Sequence, residues 1–205
     1  MQFRFIMKFD TLKQSISDEE INHLPLKQFE GEILVIDNKK ELNKHIPYLQ
    51  IQEIIGFDTE TRPSFKKGVS HQISLLQLSA NGKAFLFRIN KIGLPDDLLK
   101  ILSSDNIIKV GLAIKDDIKG LQKVKSFRPS GFIDLQDYVK YFKIENFSLR
   151  KLAGLVLDMR ISKAQRLTNW DVEQLTEKQQ RYAATDAWAT LEIYKKLKFI
   201  EIKGI

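Results

Sequence analysis

Between Glu53 and Arg88 the chain leaves itself few ways to fold, because three apolar runs follow one another and the last two are joined by Asn81-Gly82. Asn-Gly between alternating hydrophobic residues is the strongest short-range signal for a hairpin, since both positions accept the positive φ of a type I′ turn. Strands are expected at Glu53 to Thr59, Gln72 to Leu78 and Lys83 to Arg88, antiparallel to one another in sequence. Upstream, Ile33-Leu34-Val35-Ile36 reads as a first strand and Asn38 as the cap of a helix from Lys39 to Tyr48. Downstream, Pro95 opens a short helix to Leu102, Ile107 to Val110 reads as a strand, and helices alternate with single strands from there on. A meander followed by helix–strand crossovers predicts an α/β fold with a mixed sheet flanked by helices.

At 205 residues, 43% hydrophobic, the chain suits one buried core. The expected division is an N-terminal arm, 1–30, and one domain, 31–205. Within the arm, Ser17-Asp18-Glu19-Glu20 before Ile21 and Leu24 reads as a capped helical turn used for packing. No apolar run approaches the length of a bilayer span, and charge interrupts the apolar start, so a soluble, cytoplasmic protein without a membrane partner is expected. The absence of cysteine excludes disulfides, thiolate nucleophiles and thiolate metal sites. Residues 1–30 carry four basic and five acidic side chains, which leaves +8 of the overall +7 on the remainder. A basic body suits a polyanion such as nucleic acid, whose counterions are released on binding.

The first strand of the meander ends in Asp58-Thr59-Glu60-Thr61. Alternation along a strand puts Asp58 and Glu60 on one side, a pairing that invites a cation and that equally fits a half-buried strand with acidic outward positions. After the next strand and Gly111, the phase of Ile114, Ile118 and Leu121 places Asp117 beside an inward stripe and Asp116 on the opposite face; helix capping would account for either acid. In the last long helix, expected from about Glu173 to Leu197, Tyr182 and Asp186 are four apart, on a stripe continued by Ala189 and Ile193. An acid there needs compensation, which a tyrosine–aspartate hydrogen bond alone could also supply.

Asp58-x-Glu60, then Asp117, then Tyr182-x-x-x-Asp186 resemble, in order and type, the three motifs of the DEDD superfamily of 3′-5′ exonucleases. The tyrosine of the third motif is similar to the subgroup that holds ribonuclease D, family A polymerase proofreading domains and the Werner-type exonuclease domains. The likeness spans about Ile33 to Lys198 and is densest over Ser162 to Tyr194, through Thr168-Asn169-Trp170 and Tyr182 to Ala187. Arg62-Pro63-Ser64-Phe65 stands where Werner-type domains carry tryptophan-proline. The resemblance implies a ribonuclease H-like fold and four converging carboxylates, Asp58, Glu60, Asp117 and Asp186, with Tyr182 as a fifth catalytic residue that orients water.

Such an all-oxygen site suits two Mg²⁺ or Mn²⁺ ions, which flank a scissile phosphate about 4 Å apart. With an ordinary pKa of about 10, Tyr182 is a poor base. Expected substrate contacts are Thr59, Thr61, Arg62, Phe65, Lys66 and Lys67 after the first motif and Arg166, Asn169 and Trp170 before the third, with Phe65 or Trp170 stacking on a terminal base. Lys119, Lys123, Lys125 and Arg128 read as a solvated run. The expected activity is hydrolysis from the 3′ end of nucleic acid, DNA favoured, with release of nucleoside 5′-monophosphates. Alternatives are ribonuclease D-like trimming of RNA and a silent exonuclease fold that only binds.

Overall fold

The computed structural model describes residues 12–64, 66, 68 and 71–203. Its elements, in order, are α1 (Asp18–His23), β1 (Glu32–Ile36), α2 (Lys39–Gln50), β2 (Ile54–Thr61), β3 (Ile73–Ala80), β4 (Lys83–Phe87), α3 (Ile89–Ile92), α4 (Asp96–Leu102), β5 (Ile108–Gly111), α5 (Lys115–Val124), β6 (Phe132–Asp134), α6 (Leu135–Tyr138), a 3-10 turn at Val139–Phe142, α7 (Leu149–Leu157) and α8 (Glu177–Lys203). The strands form one mixed sheet in the order β1-β4-β3-β2-β5-β6. β2, β3 and β4 are the antiparallel meander expected from the hairpin signal. β5 and β6 then add in parallel on one side and β1 in parallel on the other.

Asn81 and Gly82 turn the β3–β4 hairpin at φ 44° and 76°, the pair of positive values that an Asn-Gly turn provides. Helices cover both faces. α2, α4 and α5 bury one around Phe57, Leu76, Leu78 and Phe85, while α7 and α8 close the other with Val110, Leu152 and Ile193. α1 is closed by the reciprocal Ser17–Glu20 capping box, and its Ile21 is fully buried against α7.

The last helix starts later than the sequence suggests, at Glu177 instead of Glu173. Thr176 and Gln179 cap it reciprocally: the Thr176 hydroxyl accepts from the Gln179 amide and the Gln179 side chain from the Thr176 amide. The carbonyls of Val172 and Glu173, which a longer helix would have used, accept instead from the buried guanidinium of Arg88. Four more residues are helical before α8 that no sequence signal marked, the short α3 after β4.

α8 lies directly on β2. A Cβ built on Gly56 would stand 1.9 Å from the Ala187 carbonyl oxygen and 3.1 Å from Leu191, so this crossing exists only because position 56 has no side chain. Gly56→Ala should therefore force the helix off the strand and lower the unfolding free energy by about 3 kcal/mol, the upper end of ordinary overpacking costs. Urea denaturation checks this, and a loss below about 0.5 kcal/mol would mean that the contact is loose.

Candidate active site

Since Gly56 faces α8, the residues two and four further along β2 face it as well. Asp58 and Glu60 thus meet Asp186, the residue before Ala187. Carboxylate oxygens of Asp58, Glu60 and Asp186 all lie within 4.8 Å of one another. The three are partly to wholly buried, Asp186 being 7% exposed.

Asp117 approaches from the other side of the strand. It belongs to the first turn of α5, and its carboxylate accepts a hydrogen bond from the Thr59 hydroxyl, whose residue alternates to the face opposite Asp58 and Glu60. It stands outside the cluster of three, close enough to raise the pKa of Asp58 and Glu60. Asp116 points to solvent and pairs with Lys119 at 3.2 Å, as helical phase implied.

The turn that delivers Asp117 is fixed by a residue the sequence reading passed over. Asp134, at the end of β6, accepts from the amides of Ala113 (2.9 Å) and Ile114 (3.2 Å) while capping α6 through Gln136 (2.9 Å). Ala113 holds a positive φ of 57°, a conformation an alanine keeps only when its neighbours impose it. An acid that ends a three-residue apolar strand was the only signal available for Asp134.

Burial raises every carboxyl of the group, and for Asp58, Glu60 and Asp117 neighbouring charges add to it. Burial, and then the charges of Asp186, Glu60 and Asp117, push Asp58 well above the ordinary carboxylate range. Burial and the same neighbours carry Glu60 to about 9, against the pull of nearby Arg166. Burial lifts Asp186 to about 7 in spite of Tyr182, and Asp117 to about 6 in spite of the Thr59 hydroxyl. Burial and the adjacent acids also raise the Tyr182 phenol, which stays protonated at neutral pH.

The expected substrate contacts divide. Thr61 and Arg62 are exposed and line a groove of about 500 Å³ beyond Asp117, together with His71, Lys119 and Lys123. Two members of the run read as merely solvated thus belong to the wall of this groove. Lys66 is exposed, and Phe65 and Lys67 lie outside the described residues. Thr59 is turned inward to Asp117. Arg166 is exposed beside Glu60, and the Asn169 side chain folds back to accept from the Asp171 amide.

Trp170 is a correction. It is fully buried, its ring 6.0 Å from that of Tyr182 and packed with Leu75, Leu86 and Ala183, so it backs the tyrosine and has no face to offer a base. On the Tyr182 side a second groove, of about 490 Å³, has a wall the sequence did not foresee, Leu26 to Gln28, opposite Lys178 and Arg181. Two hydrogen bonds pin that wall to α8: the Phe29 amide donates to the Thr185 hydroxyl at 2.9 Å, and Arg181 donates to the Phe29 carbonyl at 2.8 Å.

Because the folded state raises these pKa values, it binds more protons than the unfolded chain from about pH 4 upward, and in metal-free protein they cost stability as pH rises. For Asp186 this loss accumulates up to its folded value near 7 and then levels off. In chelator, Asp186→Asn should gain stability over wild type through that window, reaching on the order of 4 kcal/mol at pH 8. Urea unfolding over a pH series tests this; a gain that does not change with pH would contradict the electrostatic account.

A family model described as 3′-5′ exonuclease matches residues 33–200. The putative 3′-5′ exonuclease R431 of Acanthamoeba polyphaga mimivirus is 35% identical over 182 residues, covering 81% of this chain and 44% of the relative. The bifunctional 3′-5′ exonuclease/ATP-dependent helicase WRN of Mus musculus is 32% identical over 186 residues, covering 86% of this chain and 13% of that protein. The chain thus spans less than half the length of either relative. Among solved structures, Escherichia coli RNase D, described as an exoribonuclease involved in structured RNA processing, superposes with a TM-score of 0.74 at 23% identity, over 84% of this chain and 46% of that one. That likeness shares the fold, the ribonuclease H-like sheet expected from the sequence. With the model matched from 33 to 200, this chain belongs to the 3′-5′ exonuclease family.

Proposed function

We propose that this chain is a metal-dependent 3′-5′ exonuclease that hydrolyses phosphodiester bonds from the 3′ end of nucleic acid, DNA favoured, and releases nucleoside 5′-monophosphates. The observation that carries this reading is the meeting of Asp58, Glu60 and Asp186 within 4.8 Å. An all-carboxylate donor set of this kind fits a hard divalent cation, Mg²⁺ or Mn²⁺, and a bound cation would offset the burial and mutual repulsion that raise these groups. Asp58, Glu60 and Asp186 would hold one ion; Asp58 and Asp117 would hold a second. When bound, such ions supply Lewis-acid activation of water and neutralise charge on the phosphate under attack.

The chain's own groups do the rest. A phenol that stays protonated makes Tyr182 a donor that orients the attacking water or a phosphate oxygen, not a base. Trp170 and Leu75 hold the tyrosine from behind. Arg166, beside Glu60, is placed to meet phosphate at the reacting end, and Arg62, Lys119 and Lys123 line a path for the strand. The preference for DNA rests on likeness to Werner-type domains over Ser162 to Tyr194.

Matched DNA and RNA oligonucleotides, labelled at the 5′ end and incubated with Mg²⁺ or Mn²⁺, should be shortened stepwise from the 3′ end, DNA the faster. Inert DNA with rapid loss of RNA would transfer the chain to RNA trimming; binding without cleavage of either would make it a silent module. Asp58→Asn should lower turnover on the order of 1,000-fold or more, since the cation Asp58 would hold would contribute several kcal/mol to the transition state, and should leave oligonucleotide binding nearly intact. Lys123→Ala should raise KM several-fold at unchanged kcat and reduce the salt dependence of binding by about one phosphate contact; an unaltered salt slope would place the strand elsewhere.

A further inference from the structure

The sheet holds a polar side chain beside the acid cluster that no step so far uses. Gln77 on β3 is directly opposite Asp58 on β2 in the antiparallel register, and its neighbour pair Gly56–Ser79 fixes the face, because Gly56 looks onto Ala187 of α8. Residues opposed in this way carry their Cβ atoms about 5 Å apart. Gln77 is fully buried, under a helix whose Ala183, Ala184 and Ala187 are buried too. Among the described residues neither its amide nitrogen nor its amide oxygen has a hydrogen-bond partner.

An amide without partners in a buried seam is costly, and leucine or methionine would fill the same space at no such cost. The group gains a purpose only if something polar arrives beside it. On the same face Leu75 and Leu86 are apolar and the Ser79 hydroxyl donates to the Lys83 carbonyl, so the charged acceptor next to the amide is Asp58, directly opposite. The ladder is irregular two pairs beyond Gln77. Between Glu60 and Thr61 the register slips by one, Glu60 facing Leu75 and Thr61 facing Ile73, so that Ser74 is an extra residue in β3. Its hydroxyl is buried without a partner as well.

We infer that Gln77 is a positioning residue for Asp58: its amide NH₂ donates to the Asp58 carboxylate through one ordered water and fixes the orientation in which Asp58 receives a divalent ion. This rests on the metal-dependent reading above. Groups that hold a ligating carboxylate from behind tune affinity without touching substrate.

Two measurements test it. In wild-type protein labelled with ¹⁵N-glutamine, the Gln77 side-chain amide resonances, assigned through their own carbon chain, should shift on addition of Mg²⁺. Gln77→Met should keep its melting temperature in chelator, or raise it, while its Kd for Mn²⁺ by calorimetry weakens about tenfold and kcat falls with KM little changed. A purely structural amide would not move metal affinity apart from stability. The inference is overturned if the Gln77 resonances stay still while those near Asp58 move, or if a folded Met variant binds Mn²⁺ within about twofold of wild type; should that variant not fold, the wild-type spectrum decides. If wild type binds neither ion, the metal reading fails and this inference fails with it.

Discussion

The architecture turns on the distance between one helix and one strand. α8 can rest on β2 only at a residue without a side chain, and Gly56 supplies it, with the Ala187 carbonyl 1.9 Å from where a Cβ would stand. Asp186 precedes Ala187 and Asp58 follows Gly56 by one pleat, so the contact that closes this face of the core also sets the separation of the carboxylates. Packing and chemistry therefore share one constraint. The acids carry its cost, since a seam that buries them this far solvates three anions poorly, and each carboxyl holds its proton to a higher pH.

The fourth acid reaches the site by a different route. Consecutive residues of β2 point to opposite faces, so the strand end serves both: Asp58 and Glu60 face α8, and Thr59 between them ties Asp117 of α5. The turn before α5 is held by Asp134 from the neighbouring strand, which forces Ala113 into its positive φ. A site built around a strand end in this way draws rigidity from both layers of the fold, and it opens on either side of the acids into a groove.

The local parts of this arrangement could be read in the sequence. Period-two alternation placed Asp58 and Glu60 together, Asn81-Gly82 gave the hairpin, and helical phase separated inward Asp117 from exposed Asp116. What escaped depends on partners distant along the chain. The start of α8 is set by Arg88, which takes the carbonyls of Val172 and Glu173 from across the sheet. Trp170 beside basic residues reads the same whether it stacks on a base or fills a core, and only its packing on Tyr182 and Leu75 decides. The extra residue Ser74 leaves no trace in composition, and Leu26 to Gln28 gave no periodic signal at all, although they line a groove next to Tyr182.

The hydrogen bond from Phe29 to Thr185 joins residues 156 positions apart, and Asp186 is next to its acceptor. During translation the sheet with Asp58 and Glu60 leaves the ribosome long before α8 does. The nascent chain at that stage has two of the four acids and no helix to seat Asp186, so the acid cluster closes only after α8 has emerged and packed on β2.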